Sequence, residues 1–157
     1  MTFLVRKIVS GGQTGVDRAA LDFALSAGIP CHGWCPAGRI SEDGTIPLRY
    51  PLTETGTSGY PERTRKNITH SDGTLILTLH HKMDRGTVLT SKLCEMEARP
   101  CLIIELTDDI HLARKNISEW ILRHSIAVLN IAGCRESLCP GIRSRTERFL
   151  RDILIRP

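Results

Sequence analysis

Aromatic side chains are scarce in this 157-residue chain: two tryptophans, two tyrosines and three phenylalanines make up 4% of residues. Stacking platforms for single-stranded nucleic acid are built from such rings, so no nucleic-acid partner is expected. Long apolar runs are lacking as well. None approaches the roughly 20 residues that cross a bilayer, which argues against a membrane partner. The opening MTFLVRKIV is too short in its apolar part for a secretory leader and runs straight into a glycine turn, so a cytoplasmic protein is expected. Nor is one charge in large excess, since 21 basic against 17 acidic residues leave +4. The densest basic stretch, GIRSRTERFLRDILIRP, reads as the solvated face of a helix. So mild a balance suits a small anionic ligand at least as well as a polymer.

Several chemical signatures are missing too. Six cysteines, at 31, 35, 94, 101, 134 and 139, form no Cys-x-x-Cys pair. In a reducing compartment they read as small buried hydrophobes rather than disulfides or metal ligands. The six histidines are scattered without ligand spacing, so no tightly bound, protein-ligated metal is expected. No Gly-x-Ser-x-Gly elbow or other nucleophile pattern occurs.

What is present is an alternation of strands and helices. Residues 3–9 read as a buried strand, 16–27 as a helix closed by Gly28, and 30–35 as a second strand. The segment 36–66 has little periodicity and reads as a long functional loop, with a short helix ending near 67–71. Strands follow at 73–79, 101–106 and 126–133. Helices follow with Thr87 as an N-cap, with Asp108 or Asp109 as an N-cap, and with a start either at the Ser144-x-x-Glu147 capping box or nearer Pro140. Most strand runs are continuously apolar, which predicts an α/β fold in three layers, a mostly parallel sheet with helices on both faces. No internal repeat or domain boundary interrupts 1–157, so a single domain is expected.

The first strand ends in Ser10-Gly11-Gly12-Gln13-Thr14-Gly15, directly before a helix. A helix start offers unpaired N–H groups and a positive dipole, and glycine removes the Cβ that would hold an anion away. The loop is neither a dinucleotide fingerprint nor a Walker loop. Ser10 stands where the first glycine belongs, no acidic residue ends the second strand, and no Gly-Lys-Ser/Thr follows. Similar loops recur at RGTVLT, with Gly86 and Thr87, and at NIAGCRES, with Gly133, Arg135 and Ser137. Three strand-end loops facing one crevice, two of them bringing an arginine, predict a site for phosphate or carboxylate. The middle segment adds Arg39, Glu42 and Asp43, and Asp72 precedes the third strand. These carboxylates suit the donor edge of a heterocycle or general-base work, although Asp43-Gly44 also reads as an ordinary turn.

These residues resemble a known family, the molybdenum-cofactor carrier proteins. The resemblance is carried by GGQTGVDRAALDFA, GWCPAGRISEDGTIPLRYPLTET, YPERTRKNITHSDGTLIL, GTVLT and LNIAGCRES with the following CPGI, from residue 8 to about 142. It implies a Rossmann-like fold related to the lysine-decarboxylase-like phosphoribohydrolases, a homo-oligomer, and a phosphate-bearing pterin ligand of the molybdenum cofactor (molybdopterin) type. The contacts it implies are Gly11, Gly12, Gln13, Thr14, Gly15 and Arg18 from the first loop and helix, then Arg39, Glu42, Asp43 and Asp72. Gly86, Thr87, Arg135, Glu136 and Ser137 complete the set. Two departures stand out: Asp84-Arg85-Gly86 replaces a pattern with a second glycine, so backbone approach there is looser or replaced by the arginine. Cys134 stands where proline is usual. Two other readings remain open. One is a nucleoside monophosphate phosphoribohydrolase using Glu42, Asp43 or Asp72, though the Pro-Gly-Gly-x-Gly-Thr-x-x-Glu signature is lacking. The other is a ligand sensor that passes occupancy to a partner.

Overall fold

The computed structural model describes residues 1–107 and 109–156. In chain order the elements are β1 (Lys7–Val9), α1 (Val16–Ala27), β2 (Cys31–Cys35), β3 (Ile40–Ser41), β4 (Gly44–Thr45), β5 (Leu52–Glu54), α2 (Tyr60–Thr69), β6 (Gly73–Thr78), α3 (Arg85–Met96), β7 (Cys101–Glu105), α4 (Ile110–Arg123), β8 (Val128–Gly133) and α5 (Ile142–Leu154). Six strands form one sheet in the order β5-β2-β1-β8-β6-β7, and every pairing in it is parallel. β3 and β4 make a separate antiparallel hairpin. Helices α2 and α3 pack together over one face, while α1, α4 and α5 cover the other. The three-layer α/β arrangement expected from alternating apolar runs is therefore present. No helix among the described residues is long and apolar enough to cross a membrane.

Local chemistry explains the element ends. β6, GTLILT, is buried at all six positions, as an interior strand covered on both faces must be. α1 buries Val16, Ala20, Leu21, Phe23 and Ala24, and Gly28 closes it in the left-handed region at φ 73°. The Asp109 carboxylate accepts from the His111 and Leu112 amides and caps α4, a device worth about 1 kcal/mol. The alternative cap, Asp108, lies outside the described residues. The Thr87 cap and the Ser144 capping box fail, whereas the start of the last helix nearer Pro140 is found. Asp84, not Thr87, caps α3, because its carboxylate accepts from the Thr87 amide and hydroxyl. α5 begins at Ile142 after Gly141. Its capping carboxylate comes from Glu136, which accepts from Gly141 N and Arg143 N, whereas Ser144 donates its hydroxyl to Gly141 O.

Two further expectations need correction. β1 is shorter than 3–9: Phe3 forms an isolated antiparallel bridge to Ile155, and Leu4 N donates to Leu154 O, so the first residues tie down the end of α5 instead. The supposed loop 36–66 holds the β3–β4 hairpin, the edge strand β5 and the first half of α2. Its organiser is Arg39, whose guanidinium donates to the carbonyls of Ile46, Pro47, Tyr50 and Leu52. Ile46 and Tyr50 then pack with Leu21 and Cys35 in a small second core. A chain segment wound around one buried cation has no periodicity to read.

Candidate functional site

Loops following β1, β6 and β8 gather at the carboxyl end of the sheet, where the strand order reverses and where ligands of such sheets bind. Part of the expected cradle of loop amides is spent within the chain. Gln13 N donates to Asp17 Oδ2 at 3.3 Å, Thr14 N to Gln13 Oε1 at 3.0 Å, and Val16 N to Cys134 O at 3.2 Å. The glycines are bare for internal reasons. A Cβ on Gly12 would strike Leu52 Cδ1, one on Gly15 would strike the Cys134 carbonyl, and one on Gly11 would overlap Arg63 Nη1. Gly12 and Gly15 also hold φ near +80°. A proline at 134, the residue usual in the resembled family, would keep the carbonyl that Val16 uses.

The loops do converge, but on a carboxylate of the chain itself. Glu42, beside the β3–β4 turn, accepts from Thr14 Oγ1, from Ser137 N at 3.2 Å and from Ser137 Oγ at 2.6 Å, with Arg135 Nη1 at 3.8 Å. Burial alone would raise its pKa; the hydrogen bonds from Ser137 and Thr14 outweigh that and hold it below the usual value. Asp43 is engaged by Arg18, whose Nη2 donates to Asp43 Oδ1 at 2.7 Å and to Ser41 Oγ at 2.8 Å while Nε donates to Gly12 O. Hydrogen bonds from Arg18 and Ser41 hold the Asp43 carboxyl down at about 2. Arg18 and Arg39 thus act on their own chain. Glu136 caps α5, and Thr87 serves the Asp84 cap. Asp72 lies at the opposite, amino end of the sheet, before β6, and accepts from Ala127 N at 3.0 Å and Val128 N at 2.7 Å. Distance from the convergence, along the whole of β6, removes it from the site.

Beside this closed cluster is a cavity of about 340 Å³ between α2 and α3. Of the residues named from the sequence, Gly11, Gln13, Asp84, Arg85, Gly86, Gly133 and Arg135 line it; Gly12, Thr14, Gly15, Arg18, Arg39, Glu42, Asp43, Asp72, Thr87, Glu136 and Ser137 do not. Its remaining wall includes residues not singled out by the sequence, among them Asp17, Tyr60, Arg63, Asn67, Thr90 and Asn130. The Arg63 guanidinium lies over Gly11, and Nη1 donates to Asp17 Oδ2 at 3.1 Å. Arg63 Nε is buried without a hydrogen-bond partner. Arg135 stands 3.7 Å from Asp84 Oδ2 through Nε, beyond hydrogen-bond distance. Both guanidinium carbons face the Tyr60 ring, at 5.2 Å for Arg63 and 6.0 Å for Arg135. Burial raises the Asp17 pKa despite the opposing pull of Arg63, and nearby Asp84 adds to the rise. The one sequence cue to this wall was Tyr60-Pro61-Glu62, a helix start by virtue of proline in the first turn.

Among the described residues no group of three or more His, Cys, Asp or Glu could hold a metal ion, and no cysteine lines the cavity. The fold and cavity define a class: a parallel three-layer α/β protein with an arginine-lined cavity at the switch point of its sheet. The chain belongs to the circularly permutated YpsA SLOG family, whose model matches residues 8–154. It is similar over 99% of its length to a crystal structure from Syntrophus aciditrophicus SB, named as a candidate molybdenum carrier protein. The identity is 45%, the TM-score is 0.93, and 98% of that protein is covered. No curated protein matches the chain.

Proposed function

We propose that this protein is a molybdenum-cofactor carrier that binds a small, phosphate-bearing pterin-type anion in the cavity between α2 and α3. The observation that carries the reading is Arg63, a half-buried cation whose buried Nε lacks a partner among the described residues, on a wall shared with Arg85 and Arg135. Such an atom is costly to leave unmet, and a phosphate oxygen meets it with a charge-assisted hydrogen bond. A volume of about 340 Å³ lies within the range of small-molecule sites. The residues fit the phosphate end of the ligand. The name borne by the related structure supports the same cargo.

Absorbance and mass spectrometry of material released from gently purified protein test this. Absence of any pterin, together with no micromolar affinity for pterin or nucleotide monophosphates, overturns it. Homo-oligomerisation, part of the same reading, is checked by light scattering. A hydrolytic reading is favoured by one observation, the buried Asp17 with its raised pKa inside the cavity. Release of free base from nucleoside monophosphates, lost in Asp17→Asn, would establish it.

A further inference from the structure

β8 lies inside the sheet, between β1 and β6, and its neighbouring positions Leu129 and Ile131 are fully buried and apolar. Asn130 interrupts that run. It is 3% exposed, pairs in register with Val9 and Thr74, and lines the cavity. Its Nδ2 donates to Thr74 Oγ1 at 3.2 Å, and among the described residues this is the amide's one hydrogen bond. The carbonyl oxygen and a second N–H have no partner among the described residues. The other amide on the wall, Asn67, is different: it accepts from Trp34 N and donates to Trp34 O, so its capacity is spent on the β2 backbone.

A buried amide is tolerated in a parallel sheet when its polar atoms are used. An apolar side chain at 130 would suit the strand, as Leu129 and Ile131 do. We infer that Asn130 determines ligand specificity. Its free acceptor and donor pair with a heterocycle edge that carries an N–H beside a ring nitrogen or carbonyl oxygen. The ligand class is then a phosphate ester of a nitrogen heterocycle, with the phosphate on the arginines and the ring edge on Asn130, and not a sugar phosphate. This inference rests on the cavity being the ligand site.

The test is calorimetric titration of the full-length protein with a pterin monophosphate, GMP, AMP, ribose 5-phosphate and inorganic phosphate. At least one heterocyclic monophosphate is expected to bind tenfold or more tightly than ribose 5-phosphate. Asn130→Leu is expected to abolish that preference and leave the affinity for ribose 5-phosphate within about twofold. Asn130→Asp, which keeps the shape and replaces the donor by an acceptor, should also lose it, and it decides the matter if the leucine variant does not fold. A preference that survives both substitutions, or wild-type binding with no preference, overturns the role of Asn130 and leaves the arginine site standing. Failure of the wild-type protein to bind any of these phosphates overturns both readings.

Discussion

The two sides of the Gly11–Gly15 loop use the same residue types to opposite ends. On the hairpin side, Arg18, Arg39, Glu42 and Asp43 meet hydrogen-bonding partners within the chain. On the cavity side, Arg63 has one carboxylate and a bare Nε, and the Arg135 guanidinium approaches carboxylates at 3.7 and 3.8 Å, beyond hydrogen-bond distance. Charges that are tied to one another build structure; charges left short of partners line the cavity proposed for a ligand. The contrast separates two roles that residue type alone merges, and it can be broken or sharpened experimentally.

The largest effect is expected on the closed side. Gly15→Ala forces a Cβ against the Cys134 carbonyl and the Glu136 amide, at a φ of +80°. About 3 kcal/mol of stability should be lost, read as a fall in melting temperature of roughly 10 °C. On the open side, Arg63→Ala should weaken binding of phosphate esters by about 10- to 100-fold. Gly11→Ala, which evicts the Arg63 terminus, should weaken it as well. Combined in one protein, the two should cost little more than Arg63→Ala alone, because they act through the same group. Additive losses would instead mean that Gly11 meets the ligand directly.

Asp72→Ala removes the acceptor for Ala127 and Val128 at the amino end of the sheet. About 1–2 kcal/mol of stability should go, with phosphate-ester affinity unchanged in titration. Glu42→Gln should cost about 1 kcal/mol and, by releasing Arg135 from a competing carboxylate, leave affinity equal or modestly improved. A strong loss of affinity would place Glu42 among the ligand contacts after all.

The smallest effect is in pH dependence, and its two parts have opposite sign. Asp43 is held near 2 in the folded protein, below its unfolded value. Its stabilising share is present above about pH 4 and lost as pH falls towards 2. Asp17 is raised on folding, so its share is present while the carboxyl is protonated, below about pH 4, and lost as pH rises through the folded value. Urea midpoints between pH 4 and pH 7 should therefore vary less in Asp17→Asn than in the wild-type protein.

Legibility follows the range of the forces involved. α1, β6 and the start of α4 were plain because periodicity, a terminal glycine and an adjacent aspartate act within a few residues. The 36–66 segment was opaque because its order comes from Arg39 reaching carbonyls up to thirteen positions away. The candidate site was half legible. Gly11, Gln13, Gly86 and Arg135 sit on strand-end loops that an alternating pattern locates, whereas Arg63 and Tyr60 lie on α2, and Asn130 lies inside a strand that otherwise reads as core.

The sequence by itself determined a parallel three-layer fold, its strand-end loops and an arginine-bearing crevice, since hydrophobic period and turn chemistry are local properties. Which charges are consumed and which are left over was decided only by the tertiary structure. A carboxylate 28 positions from Thr14 can satisfy a loop, and a helix folded across it can bring an arginine whose Nε is left without a partner among the described residues. That balance is set by neighbours in space, and no spacing along the chain encodes it.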